Sequence, residues 1–264
     1  MRRYIITDRL KKQIKNNSYT IRELNNLLGF EIRNILNKNL TIREDHLQKL
    51  SLLFRSKFNL KEIHLDYGKN LGENIFTQNI KKMKKDKNLA EFIGIMLGDG
   101  NIWNNRIRIA FDKRNKRYIN YVTNLFEKIF GLKPKKEILE KTNQAYIYCT
   151  NLFAVEELLK FGLKRGNKIR NKVGVPEWIK KNRDYSKQCI KGLIDTDGCV
   201  YKCKRERQTY IKFTNFNMLL LRDFKELTKS LGYSFAKANK KNVCLYKKDE
   251  VAKFIKEIKP LKRI

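Results

Sequence analysis

Two nine-residue segments, FIGIMLGDG at 92–100 and IKGLIDTDG at 190–198, repeat one pattern within this chain. Each has Gly at the third place, a small residue at the seventh, Asp at the eighth and Gly at the ninth. On a helix, Gly94 and Gly98 lie four apart and share a face, as do Gly192 and Thr196. Small residues at that spacing let two helices approach until their backbones nearly touch. The spacing predicts that the two segments pair as helices, with their C-terminal ends side by side. Asp99 and Asp197 stand at those ends, each before a Gly suited to a left-handed cap. A carboxylate there faces the last unpaired carbonyls and the negative end of the helix dipole, the wrong charge for stability. A hard cation resolves the conflict, because carboxylates, backbone carbonyls and water are the ligand set of Mg²⁺. Two close ions on two carboxylates would bracket the attacking and leaving oxygens of a phosphodiester.

The pattern around the two segments also repeats. The first copy continues with an alternating strand at 106–111, a helix at 118–130 ended by Gly131, a strand at 144–150 and a helix at 152–161. The second has a strand at 209–215, a helix at 218–231 ended by Gly232, a strand at 242–246 and a helix at 249–258. Such duplication predicts a pseudo-two-fold body, which suits a duplex whose phosphates are two-fold related. Pro176 interrupts the connection at 175–186, so no helix runs straight through it. Trp103 and Trp178 read as packing residues.

Charge points to the same partner. The chain carries 60 Lys+Arg against 27 Asp+Glu, a net +33. A compact body this basic repels itself unless a polyanion covers it, and nucleic acid rewards each cation by counterion release. Thermophilic enrichment raises Glu alongside Lys, whereas here the acids lag. No run approaches the ~20 apolar residues that span a bilayer, and the start has no signal-peptide core, so an intracellular protein with no membrane partner is expected. The five cysteines are odd in number and scattered; Cys199 and Cys203 lack a second pair with zinc spacing, so reduced thiols are expected.

The first 87 residues read as helical. Thr20 with Glu23 and Thr41 with Glu44 form capping boxes. Ile21, Leu24, Leu27 and Leu28 follow at helical spacing, and Gly29 ends the run. Two short helices around a Gly turn, with a third packed on them, predict a helix-turn-helix-like domain over 1–65, with Glu31, Arg33, Asn34 and Lys38 as candidate DNA-reading residues. A basic linker follows over 66–87. The two repeats occupy 88–183 and 184–264.

The paired segments resemble the LAGLIDADG motifs of homing endonucleases. GLIDTDG is nearly the consensus; GIMLGDG departs from it with Leu97 and Gly98. The resemblance spans 88–264 and implies an α+β fold: two αββαββα halves meeting at the motif helices, their antiparallel sheets forming a saddle in the major groove. It implies a site-specific endonuclease making double-strand breaks with short 3′ overhangs, Mg²⁺ as cofactor and Mn²⁺ as substitute. Asp99 and Asp197 match the catalytic metal-binding acids, with the carbonyls of Gly98 and Thr196 completing the shell. Family sites add polar residues from the sheets. Asp112 and Lys113 end one strand, Thr214 and Asn215 the other, and Lys247 follows the last strand; Lys113, Lys247 and Asn215 are the further catalytic candidates. Arg106, Arg108, Asp112, Lys202, Lys204, Arg205, Arg207 and Lys212 are the candidate DNA contacts. A start at Met and an end at Leu-Lys-Arg-Ile favour a free-standing or intron-encoded protein over an intein, and a pseudo-dimer within one chain predicts a monomer. Two other readings use the same fold: a non-cleaving transcription regulator, and a maturase that holds intron RNA.

Overall fold

The computed structural model describes residues 3–6, 8–16, 19–37, 42–53, 63–66 and 83–262. The chain divides into two compact units, Met1–Asn74 and Ile75–Ile264. Most of the basic linker, and Thr41 of the second capping box, lie outside the described residues.

The first unit runs β1 (Arg3–Ile6), α1 (Asp8–Lys15), α2 (Ile21–Leu28), α3 (Arg33–Asn37), β2 (Ile42–Arg43), α4 (Glu44–Leu53) and β3 (Ile63–Asp66). The expected all-helical N-terminal domain is corrected here: the strands form an antiparallel sheet in the order β2-β1-β3. RYII and IHLD are four-residue runs of strand-favouring residues, too short to nucleate a helix. The first capping box forms, with Thr20 Oγ1 accepting from Glu23 N and Glu23 Oε2 accepting from Thr20 N at 2.7 Å. Gly29 closes α2 at φ 71°, a conformation that favours glycine. Asn25 staples the following turn, accepting from Ile32 N at 2.8 Å and donating to Glu31 at 3.0 Å. Leu24, Leu28, Ile32, Ile35 and Leu50 share the core, while Leu27 stays exposed.

The second unit contains the repeat. Its first half is α5 (Lys87–Gly98), β4 (Gly100–Trp103), β5 (Arg106–Asp112), α6 (Lys116–Phe130), β6 (Lys135–Ile138), β7 (Gln144–Thr150) and α7 (Leu152–Lys160). A short α8 (Glu177–Lys180) starts directly after Pro176. The second half is α9 (Arg183–Asp197), β8 (Gly198–Cys203), β9 (Gln208–Thr214), α10 (Met218–Ser230), β10 (Ala236–Lys237), β11 (Asn242–Leu245) and α11 (Lys248–Ile258). Both halves are therefore αββαββα. Their antiparallel four-stranded sheets have equivalent orders, β4-β5-β7-β6 and β8-β9-β11-β10.

The halves meet along α5 and α9. A Cβ on Gly94 would overlap the Cys189 carbonyl, and one on Gly192 would overlap the Glu91 carbonyl and lie 2.8 Å from Ile95 N. Backbone thus lies against backbone at the glycine face. Beside this contact Lys191 donates to Glu91 at 2.5 Å and to Tyr121 at 2.7 Å, satisfying buried charge. Aromatic clusters fill each half, Phe92 with Phe126 and Phe130 in one, Phe213 with Phe224 and Phe235 in the other. Trp178 packs as expected, donating to Phe161 O and meeting the Phe161 and Tyr185 rings edge-on. Trp103 does not: it is 65% exposed on strand β4.

Candidate metal centre and nucleic-acid face

Asp99 is the C-cap of α5, and Asp197 is the last residue of α9. The glycines after them are not left-handed caps. Gly198 is extended (φ −87°, ψ 164°), and Gly100 already belongs to β4. Glycine is required there for space: a Cβ would lie 2.5 Å from Met96 Cα at Gly100 and 2.6 Å from Ile194 Cα at Gly198. Each helix therefore turns at once into its first strand and leaves its Asp at the corner.

Two lysines close the helix ends. Lys168, on the loop after α7, donates to Met96 O at 3.1 Å and to Gly98 O. Lys262, beyond α11, donates to Thr196 O at 2.7 Å. An ammonium is the charge a helix C-terminus favours. These contacts fall on the two carbonyls implicated as metal ligands. Thr196 Oγ1 turns back to Gly192 O at 2.9 Å, leaving only its carbonyl for the site.

Both lysines are positioned by polar side chains. Buried Asp195 accepts from Leu261 N at 2.7 Å and Lys262 N at 3.0 Å, fixing the tail that carries Lys262. Buried Asn217 donates to Val173 O at 2.7 Å and Lys168 O at 3.4 Å, fixing the loop that carries Lys168. Asn215 accepts from Asn217 N at 2.7 Å and donates to Asp197 Oδ2 at 2.7 Å.

The electrostatics follow from this crowding. Lost hydration raises the Asp197 pKa to about 6, with the Asp99 charge adding to the rise; Lys168, Asn215 and Lys262 oppose it. Asp99 opens to solvent at the mouth of the site, yet protein packed around its carboxyl raises its pKa too, against Lys262 and Lys168. Burial lowers the Lys168 pKa, and both acids pull it back up. Two like charges share this small space with two backbone carbonyls, a donor set suited to a divalent ion. Among the described residues no cluster of three or more His, Cys, Asp or Glu could hold a metal.

Of the sequence candidates, the structure brings Asp99, Asp197, Gly98, Thr196 and Asn215 together. It does not bring Lys113 or Lys247 there. Lys113 donates to Glu140 O at 3.3 Å, and Lys247 pairs with Glu250 at 3.1 Å. The register explains this. Gly100 faces Ile109 and Gly198 faces Phe213, so the counterpart of Asn215 is Phe111, not Lys113. Asp112 is held by Arg114 at 2.5 Å, which lowers its pKa to about 2.

Arg106 and Arg108 project from the sheet face opposite the core residues Ile107 and Ile109. They lie over the rings of Tyr148 and Tyr146, at 4.5 and 3.5 Å from the centroids. Lys212 is half-buried on the corresponding face of the second sheet, paired across the ladder with Cys199 and Cys244. Lys202, Lys204, Arg205 and Arg207 are exposed on β8 and its turn. In the first unit Arg33 is exposed and Asn34 half-buried on α3, while Lys38 lies outside the described residues. All five cysteines are free thiols. Among the described residues no helix is long and apolar enough to cross a membrane.

Sequence reasoning missed Lys168, Lys262, Asp195 and Asn217. Repeat position was the available signal, since each lysine follows the last helix of its half.

A family description, LAGLIDADG-like domain, matches residues 184–259. The chain is 26% identical over 161 residues to the ribonucleoside-diphosphate reductase NrdEB subunit alpha of Bacillus subtilis, covering 56% of this chain and 14% of that protein. It is 31% identical over 117 residues to the replication factor C small subunit of Methanocaldococcus jannaschii, covering 44% and 6%. The chain thus spans a small fraction of these curated relatives. Among solved structures, full-length DUF199/WhiA from Thermatoga maritima aligns at TM-score 0.47 and 11% identity, covering 68% of this chain and 57% of that one. Variants of the homing endonuclease I-DmoI align at 0.44 and 16%, covering 65% and 94%.

Proposed function

We propose, from the match of residues 184–259 to a LAGLIDADG-like domain and from the geometry of the acid pair, that the chain is a monomeric, site-specific endonuclease that hydrolyses both strands of duplex DNA with a divalent metal. The observation that carries the reading is the pairing of Asp99 and Asp197 at two helix ends packed backbone to backbone, where lost hydration and the Asp99 charge raise the Asp197 pKa even with Lys168 and Lys262 beside it. The net charge of +33 supplies affinity for the phosphate backbone.

Asp99 and Asp197, with the carbonyls of Gly98 and Thr196, would hold the ion. Mg²⁺ fits this all-oxygen set and Mn²⁺ would substitute. The ion supplies Lewis acidity at the scissile phosphate. Asn215 orients the Asp197 carboxylate by donating to one oxygen and leaves the other free. Lys168 and Lys262 act electrostatically on both acids, and their charge would offset the negative charge growing on the phosphate. Asp195 and Asn217 are positioning residues for those lysines. The basic turn at 202–207 would grip phosphates, and the open faces of the two sheets would lie against base edges.

Cleavage of a randomised duplex library with Mg²⁺, sequenced at the ends, tests this against Asp99→Asn/Asp197→Asn. Defined breaks that vanish in the variant support the reading. Selective binding without breaks, in Mg²⁺ or Mn²⁺, would instead make the chain a non-cleaving regulator.

A further inference from the structure

We infer that the first half reads guanines through Arg108 and Arg106, so that one half-site carries two guanines separated by about two base pairs. This rests on the proposal that duplex DNA lies across the sheets, and adds a base identity to it.

Arg108 is built for recognition rather than for holding the fold together. Its guanidinium carbon lies 3.5 Å from the centroid of the Tyr146 ring, and its Nε is buried without a hydrogen-bond partner. Tyr146 is itself fixed, donating its hydroxyl to Gln144 Oε1 at 2.7 Å. A stacked guanidinium is already ordered, so little side-chain freedom is lost when its fork meets a partner. Arg106 repeats the arrangement over Tyr148, with Nε donating to Thr150 Oγ1 at 3.3 Å. No acidic partner takes either arginine among the described residues, whereas Arg114 of the same half is spent on Asp112. The partner that two parallel donors fit in a major groove is guanine, through O6 and N7.

Position supplies the spacing. Ala110, on the same strand, donates its N–H to Asp99 O at 3.1 Å, so β5 leads away from the acid pair. Arg108 and Arg106 stand two and four residues further along, about 7 and 14 Å at the usual strand rise. Successive bases of one DNA strand rise by about 3.4 Å. The two forks therefore fall about two base pairs apart. The second sheet has no arginine on any strand; Tyr201, Tyr210 and Lys212 stand on its open face. The ring-stacked arginine pair is thus confined to one side of the site.

The test is selection of randomised duplexes by the full-length chain in Ca²⁺, sequenced for wild type, Arg108→Ala and Arg108→Lys. Wild type should select two guanines about two base pairs apart on one side. Both variants should lose guanine preference at one of these positions by about 10- to 100-fold. Arg108→Lys keeps the charge, so its salt dependence should match wild type, and an unchanged melting temperature shows that it folds. A wild type that selects a sequence while both folded variants keep every guanine preference overturns this assignment alone. A wild type that binds all duplexes alike overturns the reading beneath it as well.

Discussion

Alanine at Gly94 or Gly192 sets two effects against each other. In a free helix the change stabilises by about 1 kcal/mol. Here the new Cβ meets the backbone of the opposing helix: the Cys189 carbonyl from Gly94, the Glu91 carbonyl and Ile95 N from Gly192. Backbone cannot rotate aside, so α5 and α9 must separate by roughly 1 Å, a gap that forfeits a quarter to a half of each facing dispersion contact. Overpacking costs about 1–3 kcal/mol, and rigid opposing atoms place this case at or above the upper end. Net of the helix propensity, the expected loss is about 2 kcal/mol, which for a unit of this size lowers Tm by about 4–8 °C. Activity should fall further, because the same movement parts Asp99 from Asp197, and a displacement near 1 Å costs on the order of 100-fold. Calorimetry and single-turnover cleavage at 25 °C measure both. A Tm that rises by the amount helix propensity alone provides would refute the close-approach argument.

Asp197→Asn should raise Tm in EDTA. The carboxylate pKa stands at about 6 against an ordinary 3.8, so the ionised form opposes folding by at most about 3 kcal/mol. The sign also predicts that the wild type, melted in EDTA, gains stability as pH falls through 6 toward 4; a flat profile would contradict it. Mg²⁺ should raise the wild-type Tm with its concentration and leave Asp197→Asn nearly unmoved, as calorimetric titration would show. Lys168→Met and Lys262→Met should each slow single-turnover cleavage by about 100-fold while affinity in Ca²⁺ changes little; equal losses in binding would make them phosphate grips instead. Asn215→Ala should let nicked duplex accumulate on a gel, since only the second half has this donor; evenly slowed strands would refute that asymmetry.

What the sequence made legible was whatever repeats locally. The helix pair, the acid corner and two strands and two further helices in each half follow from small residues four apart and from periods of two and 3.6, whereas the full αββαββα order came with the resemblance to homing endonucleases. Three things were not legible. The N-terminal strands are two to four residues long, too short for periodicity to speak. Lys168 and Lys262 lie 70 and 66 residues along the chain from the carbonyls they cap. Among 60 Lys+Arg, only their place after the last helix of each half sets them apart. Strand register was the third. Offsetting the two halves by two residues made Lys113 the counterpart of Asn215, where the ladder puts Phe111.

That register exposes a difference the symmetry conceals. The frame is duplicated: two glycine-faced helices, two equivalent sheets, two lysines on two terminal carbonyls. The chemistry around each acid is not. Asp197 receives a hydrogen bond from Asn215, while the matching place beside Asp99 holds buried Phe111. Asp195 ties down the tail bearing Lys262, while its counterpart in the first helix is buried Leu97, and the loop bearing Lys168 is held instead by Asn217 from the other half. Lys168 therefore depends on both halves docking, whereas Lys262 depends on its own half alone. Loosening the helix interface should for this reason disturb the Asp99 side first, and the two strands of a duplex placed across these acids would meet unequal sites.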